Sequence, residues 1–186
     1  MSDHDQPIYS RVPGLRDVDH VAFTVPDLEQ AVRFFVEVFA CREIYRVGPT
    51  QDPDGDWMQR RLNVHPRASL HFAMLRSGPH LNMELYEWSS PARATTPPRN
   101  SDVGASHLAF FVDDIERATE ALRAQPGVQV LEGVERVPDG PIAGTRWVYF
   151  LTPWMMQLEL VSYGALPYET ATAERQHAPA GHWEAR

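Results

Sequence analysis

The sequence has only one cysteine, Cys41, among its 186 residues. One thiol cannot close a disulfide within the chain, so nothing in the cysteine pattern indicates an oxidising compartment. No apolar stretch approaches the roughly 20 residues that a membrane-spanning helix needs. The polar start of the chain also lacks the apolar segment of a signal peptide. The sequence therefore predicts a cytoplasmic protein without membrane contact, in which Cys41 is a small buried side chain.

The chain also has fewer basic than acidic side chains. The chain carries 17 basic and 25 acidic side chains, for a net charge of −8. Neutralising the phosphates of a nucleic acid requires clustered Lys and Arg, so nucleic acid is not an expected partner. Length and an ordinary apolar content of 43% favour one domain, or two small modules that share a core.

The chain contains an internal repeat. The segment HVAFTVPDLEQA begins at His20, and HLAFFVDDIERA begins at His107, with most positions matching in register and no gap. In each copy, alternation predicts a strand, and an apolar stripe of helical spacing predicts a helix. Asp27 and Asp114 stand where a carboxylate can cap the first turn of that helix.

Later strands also match between the two halves. NMELYEW spans residues 82–88, QLELVSY spans residues 157–163, and each follows a strand-like run, at residues 68–75 and 146–151. Gly and Pro make residues 48–56 and 137–144 exposed loops. The pattern predicts an α+β chain with one module at residues 14–90, a linker at 91–104, a second module at 105–163 and a tail at 164–186. That tail could be disordered or could wrap a partner subunit.

Potential metal ligands recur on matching strand faces. His20 alternates away from the apolar face of its strand, and His107 does the same in the second copy. Glu84 shares a face with Asn82 and Tyr86, and Glu159 points away from its apolar neighbours. If the modules pack symmetrically, two imidazoles and two carboxylates line one cleft. Such a set suits Zn, Ni, Co, Mn or Fe(II) better than calcium.

At these residues the sequence resembles the vicinal oxygen chelate superfamily, which includes glyoxalase I, methylmalonyl-CoA epimerase, extradiol dioxygenases and bleomycin-resistance proteins. DHVAFTVPDLEQAVRFF, NMELYEW, SHLAFFVDDIE and QLELVSY carry the resemblance. It implies two tandem βαβββ modules that form a curled mixed sheet around a metal cleft. It also implies one divalent ion bound by His20, Glu84, His107 and Glu159.

The implied ligand set favours one reaction class. Extradiol dioxygenases have a His where this chain has Glu84, whereas a His-Glu-His-Glu set resembles glyoxalase I and methylmalonyl-CoA epimerase. The resemblance therefore implies a metal-dependent isomerase, epimerase or lyase that abstracts a proton next to a carbonyl, with Glu84 or Glu159 as the base. A non-haem iron dioxygenase and a metal-free antibiotic-binding protein remain alternatives. Thr24 and Trp88 replace two glutathione-contacting positions of bacterial glyoxalase I, so a glutathione substrate is not expected.

We expect some of four further residues to line the cleft and select the small-molecule substrate. They lie in or near the long insertion of the first module and comprise Trp57, His65, Arg67 and His71. A homodimer is a further open possibility, because the pattern allows the cleft to form within one chain or between two.

Overall fold

The computed structural model describes residues 11–172, and these contain nine strands and four helices. The first module comprises β1 (His20–Val25), α1 (Leu28–Phe39), β2 (Arg42–Gln51), α2 (Trp57–Leu62), β3 (Ser69–Ser77) and β4 (Leu81–Ser89). The second comprises β5 (Ala109–Phe111), α3 (Ile115–Arg123), β6 (Gln129–Val130), β7 (Glu135–Arg136), β8 (Arg146–Leu151) and β9 (Gln157–Ser162), and α4 (Pro167–Thr172) follows it.

Each module forms its own mixed sheet. The strand order is β1-β4-β3-β2 in the first sheet and β5-β9-β8-β6 in the second, and neither sheet is closed. In both, the first strand runs parallel to the last strand of the same module. This arrangement confirms the predicted α+β class and the βαβββ order. It consists of two separate sheets, whereas the resemblance implied one curled sheet.

The helices begin where the sequence predicts. Asp27 accepts a hydrogen bond from the backbone N–H of Gln30 at 2.8 Å, and Asp114 accepts one from that of Arg117 at 3.0 Å. A carboxylate at this position satisfies a backbone donor that the first helical turn leaves free. The apolar stripe of α1 is buried as its spacing predicts. Cys41, just after α1, is buried and unpaired.

One apolar core joins the two modules. It contains the helix-facing side chains of both sheets together with the buried faces of α1 and α3. Phe39 at the end of α1 stacks on Phe110 of β5, with ring centroids 4.1 Å apart, and on Phe150 of β8, at 6.1 Å. Phe34 meets Trp154 edge to face at 5.3 Å. The helices therefore lie between the two sheets and bind one module to the other.

Three details differ from the sequence expectation. Strand β2 continues to Gln51, so only the second half of the predicted loop at residues 48–56 is outside a strand. The edge strand of the second module is interrupted, because β6 and β7 pair with opposite ends of β8. Part of the predicted tail forms α4, and its remainder lies outside the described residues. No helix among residues 11–172 is long and apolar enough to cross a membrane.

We expect Phe39→Ala to lower the free energy of unfolding by about 3 kcal/mol, because it empties the contact between the modules. Val36→Ala is the matched control, since Val36 lies on the exposed side of the same helix, and it should change stability by less than about 0.5 kcal/mol. Urea unfolding measures both. Equal effects of the two substitutions would contradict a core shared through α1.

Candidate functional site

The first half-site lies on β1 and β4. These strands run parallel, with His20 opposite Asn82 and Ala22 opposite Glu84. Because side chains alternate along a strand, His20 and Glu84 share the face that turns away from the core. His20 Nε2 lies 3.1 Å from Glu84 Oε2. Glu84 is buried, whereas His20 remains exposed.

A neighbouring carboxylate orients His20. Its Nδ1 lies 2.7 Å from Asp19 Oδ2, and this hydrogen bond, together with the negative charge of Glu84, raises the pKa of His20. A donor Nδ1–H leaves the Nε2 lone pair directed at the space beside Glu84. Asn82 Nδ2 donates to the carbonyl of Asp19 at 3.2 Å, while its own buried Oδ1 has no partner among the described residues.

The second half-site repeats this geometry on β5 and β9. His107 precedes β5, and its Nε2 lies 3.1 Å from Glu159 Oε2. The partner of His107 Nδ1 is Asn100 Oδ1, at 3.3 Å, so the linker supplies the orienting group here. Tyr149, opposite Glu159 in the sheet, packs its ring edge to face against His107 at 5.2 Å. Burial raises the pKa of Glu159.

The chain does not bring the two half-sites together. Val21, Phe23, Met83 and Leu85 belong to the shared core or pack against it, as do Leu108, Phe110, Leu158 and Leu160. The ligand faces alternate with these residues, so each faces away from the layer between the sheets. Within residues 11–172, no three His, Cys, Asp or Glu side chains are placed to share a metal ion. The four predicted ligands therefore form two pairs.

Each pair has the chemistry and spacing of two metal ligands. Two donor atoms about 2.1 Å from one ion and at right angles to each other lie about 3 Å apart, close to the observed separation. Metal-binding His residues also usually donate their second ring N–H to a carboxylate or an amide oxygen. Asp19 and Asn100 are placed for that role. The residues therefore fit a divalent ion, although one pair supplies only half of a coordination shell.

An aromatic wall continues the first half-site across its sheet. It is formed by Tyr45, Phe72, Tyr86 and Trp88, whose neighbouring rings meet at steep angles with centroids 5.6 to 6.3 Å apart. The Tyr86 hydroxyl donates a hydrogen bond to Glu84 Oε2. Burial and the charge of Glu84 raise the pKa of Tyr86 well above its ordinary value, so the hydroxyl keeps its proton at neutral pH. The second half-site has a smaller aromatic group, Trp147 and Tyr149.

The residues expected to select the substrate do not belong to this aromatic wall. His71 alternates with Phe72 and shares the helix-facing side of β3 with core residues Ala73 and Leu75. That position puts the side chain on the opposite face of the sheet from Glu84. Arg67 donates to the carbonyls of Pro53 and Gly55, and its backbone N–H donates to His65 Nδ1 at 3.0 Å. Trp57 is exposed at the start of α2. Binding of substrate by these residues stays a prediction.

Sequence reasoning missed four side chains that touch the His–Glu pairs, and the first is Asp19, which directly precedes His20. Tyr86 was placed on the face of Glu84 by alternation, but its hydrogen bond was not inferred. Tyr149 alternates with buried Val148 and Phe150, so its face was also readable. Asn100 sits in a Pro-rich linker, where no periodicity indicates which way a side chain points.

A family model matches the chain over residues 19–150, more than half its length, and describes the Glyoxalase/Bleomycin resistance protein/Dioxygenase superfamily. The chain belongs to that superfamily, as its resemblance predicted.

Two relatives and two solved structures extend this result. The chain is 52% identical over 173 residues to 2-epi-5-epi-valiolone epimerase from Actinomyces sp., covering 92% of this chain and 93% of that protein. It is 24% identical over 149 residues to the uncharacterized protein YwkD of Bacillus subtilis (strain 168), and the match covers 78% of this chain and 96% of that protein. A glyoxalase family protein from Bacillus cereus aligns with a TM-score of 0.62 at 20% identity, and the alignment covers 83% of this chain and 98% of that one. The fosfomycin resistance protein FosX from Mesorhizobium loti aligns with a TM-score of 0.52 at 20% identity, and the alignment covers 84% of this chain and 98% of that one. These two structures share the fold.

Proposed function

We propose that the protein is a divalent-metal-dependent epimerase that removes and returns a proton next to a carbonyl of a small oxygenated substrate. The observation that carries the proposal is the repeated His–Glu pair, with each His oriented by a second hydrogen bond. The extensive identity to an epimerase of the superfamily supports the reaction class. The compound that this relative acts on, 2-epi-5-epi-valiolone, is the first substrate to test.

His20 and Glu84 would hold the metal together with His107 and Glu159. A bound divalent ion would polarise the substrate carbonyl and so lower the pKa of the neighbouring C–H group, each pKa unit being worth about 1.4 kcal/mol. Zn, Ni, Co, Mn and Fe all suit this mixture of nitrogen and oxygen donors.

The carboxylates supply the proton acceptor. Glu159 is partly buried with a raised pKa, as suits a group that must accept a proton near neutrality. Glu84 is the other candidate, and its Oε2 is already engaged with Tyr86 and His20. The apolar wall of Phe72 and Trp88 beside Glu84 would exclude water from the reacting carbon.

The complete site needs a second copy of the chain. The two pairs belong to different sheets and face away from the shared core, so His20 and Glu84 of one chain would meet His107 and Glu159 of its partner. A twofold dimer makes this contact twice, which gives two equivalent sites. Exposed apolar side chains on β2, at Ile44, Tyr45 and Val47, offer surface that such a contact could bury.

We expect the purified protein to bind about one divalent ion per chain, and His107→Ala to lose most of it, because a single His–Glu pair cannot hold an ion alone. Mn²⁺ titration followed by electron paramagnetic resonance measures the binding. His80→Ala, at an exposed turn, is the control and should bind as the wild type does. Full occupancy in the double variant His20→Ala/His107→Ala would reject the assigned ligands.

A site shared between two chains can be tested by mixing variants that are damaged in different half-sites. His20→Ala and His107→Ala, refolded together, should regain about one intact Mn²⁺ site per four chains, because half of the random dimers combine the two variants and each of these has one undamaged site. His20→Ala mixed with Glu84→Gln should regain none, since both changes damage the same half-site. No recovery in the first mixture, together with Mn²⁺ binding by monomeric wild type, would show that one chain forms the site.

The proposed proton transfer can be tested by deuterium exchange from the solvent. In heavy water, 2-epi-5-epi-valiolone treated with the enzyme should take up deuterium at the carbon that epimerises, without consumption of oxygen. Replacing the carboxylate that acts as the base with Gln should slow this exchange by about 10²- to 10⁴-fold. Mass spectrometry and an oxygen electrode distinguish the outcomes. Oxygen uptake with ring cleavage and no deuterium would favour a dioxygenase.

A further inference from the structure

The two half-sites differ at one position beside the carboxylate. Tyr86 follows Glu84 by two residues, so it shares the same strand face, and its hydroxyl donates to Glu84 Oε2. The same position after Glu159 is Val161, whose side chain has no group to donate. Glu84 Oε2 therefore has two neighbours, the Tyr86 hydroxyl and His20 Nε2, whereas the described side-chain partner of Glu159 Oε2 is His107.

The Tyr86 ring is itself held in place. Phe72, opposite it on β3, meets the ring edge to face at 5.6 Å, and Trp88, two residues along β4, meets it edge to face at 5.9 Å. Two ring neighbours at steep angles restrict rotation about χ1 and χ2, so the hydroxyl oxygen keeps a defined position. A hydrogen bond from such a fixed donor to an ionised carboxylate is charge-assisted and stronger than a neutral one.

We propose that Tyr86 is a positioning residue that fixes the rotation of the Glu84 carboxylate and so makes the two carboxylates of the site unequal. Glu84 keeps one orientation before a metal ion binds, whereas Glu159 retains its freedom to turn. A ligand that is already oriented loses less conformational entropy on binding, and this raises the affinity of the site. The inference rests on the proposed metal site.

The test is a double-mutant cycle on Mn²⁺ affinity. Tyr86→Phe keeps the ring and removes the donor, so it should weaken Mn²⁺ binding about 10- to 100-fold, the usual effect of losing a partner of a metal ligand. If Tyr86 acts through Glu84, the same change should add little to the weakened Mn²⁺ affinity of Glu84→Gln, measured at high Mn²⁺ concentration, and should have its full effect in a Glu159→Gln background. Tyr168→Phe, on α4 outside both half-sites, is the matched control and should leave the affinity unchanged.

A second measurement needs no metal. The ¹³C NMR signal of the Glu84 side-chain carboxyl should shift in metal-free Tyr86→Phe, while that of Glu159 stays in place. Urea unfolding of each variant separates this local effect from a general loss of stability. Unchanged Mn²⁺ affinity in Tyr86→Phe, an equal loss in the Glu84→Gln background, or an unmoved Glu84 carboxyl signal would overturn the inference. If the wild type binds no Mn²⁺, the proposed function fails, and the carboxyl signal alone decides the role of Tyr86.

Discussion

The packing of α1 against both sheets is the constraint on which the rest of the structure depends. Phe39 and Phe34 belong to the first module, yet their ring partners include Phe110, Phe150 and Trp154 of the second. This contact places the helical layer inside the molecule, where apolar area is removed from water. Because side chains alternate along each strand, burying one face of a sheet exposes the other. The polar pairs consequently face outwards on both sheets.

The repeated pattern predicted each half-site but could not predict how the halves meet. Alternation placed His20 with Glu84 and His107 with Glu159 on one face each, and the structure shows both pairs at the same separation. Local periodicity reports which face of a strand is buried and says nothing about which module buries it. The relation between the modules depends on side chains such as Phe39 and Trp154, whose partners are distant in sequence. His71 alternates with Phe72, so its place on the opposite face of β3 could be predicted from local periodicity.

Divergence between the two copies is concentrated in the groups around the ligands. His20 is oriented by the adjacent Asp19, whereas His107 is oriented by Asn100 from the linker. A carboxylate partner raises the basicity of an imidazole more than a neutral amide does. The linker thus does more than connect two modules, because it completes the second half-site. A duplicated module can keep its ligands and still acquire unequal chemistry through such neighbours.

This inequality would matter for the proposed epimerase activity, in which a substrate loses and regains a proton on opposite faces of one carbon. Two identical carboxylates would serve both faces alike, but the two epimers of a chiral substrate are not mirror images once other stereocentres are present. A site that accepts both epimers would benefit from one carboxylate held in place and one that can adjust. In the proposed site, Glu84, hydrogen-bonded by Tyr86 beside a group of aromatic rings, would supply the rigid side. Glu159, next to Val161 and partly buried, would supply the side that can adapt to either epimer.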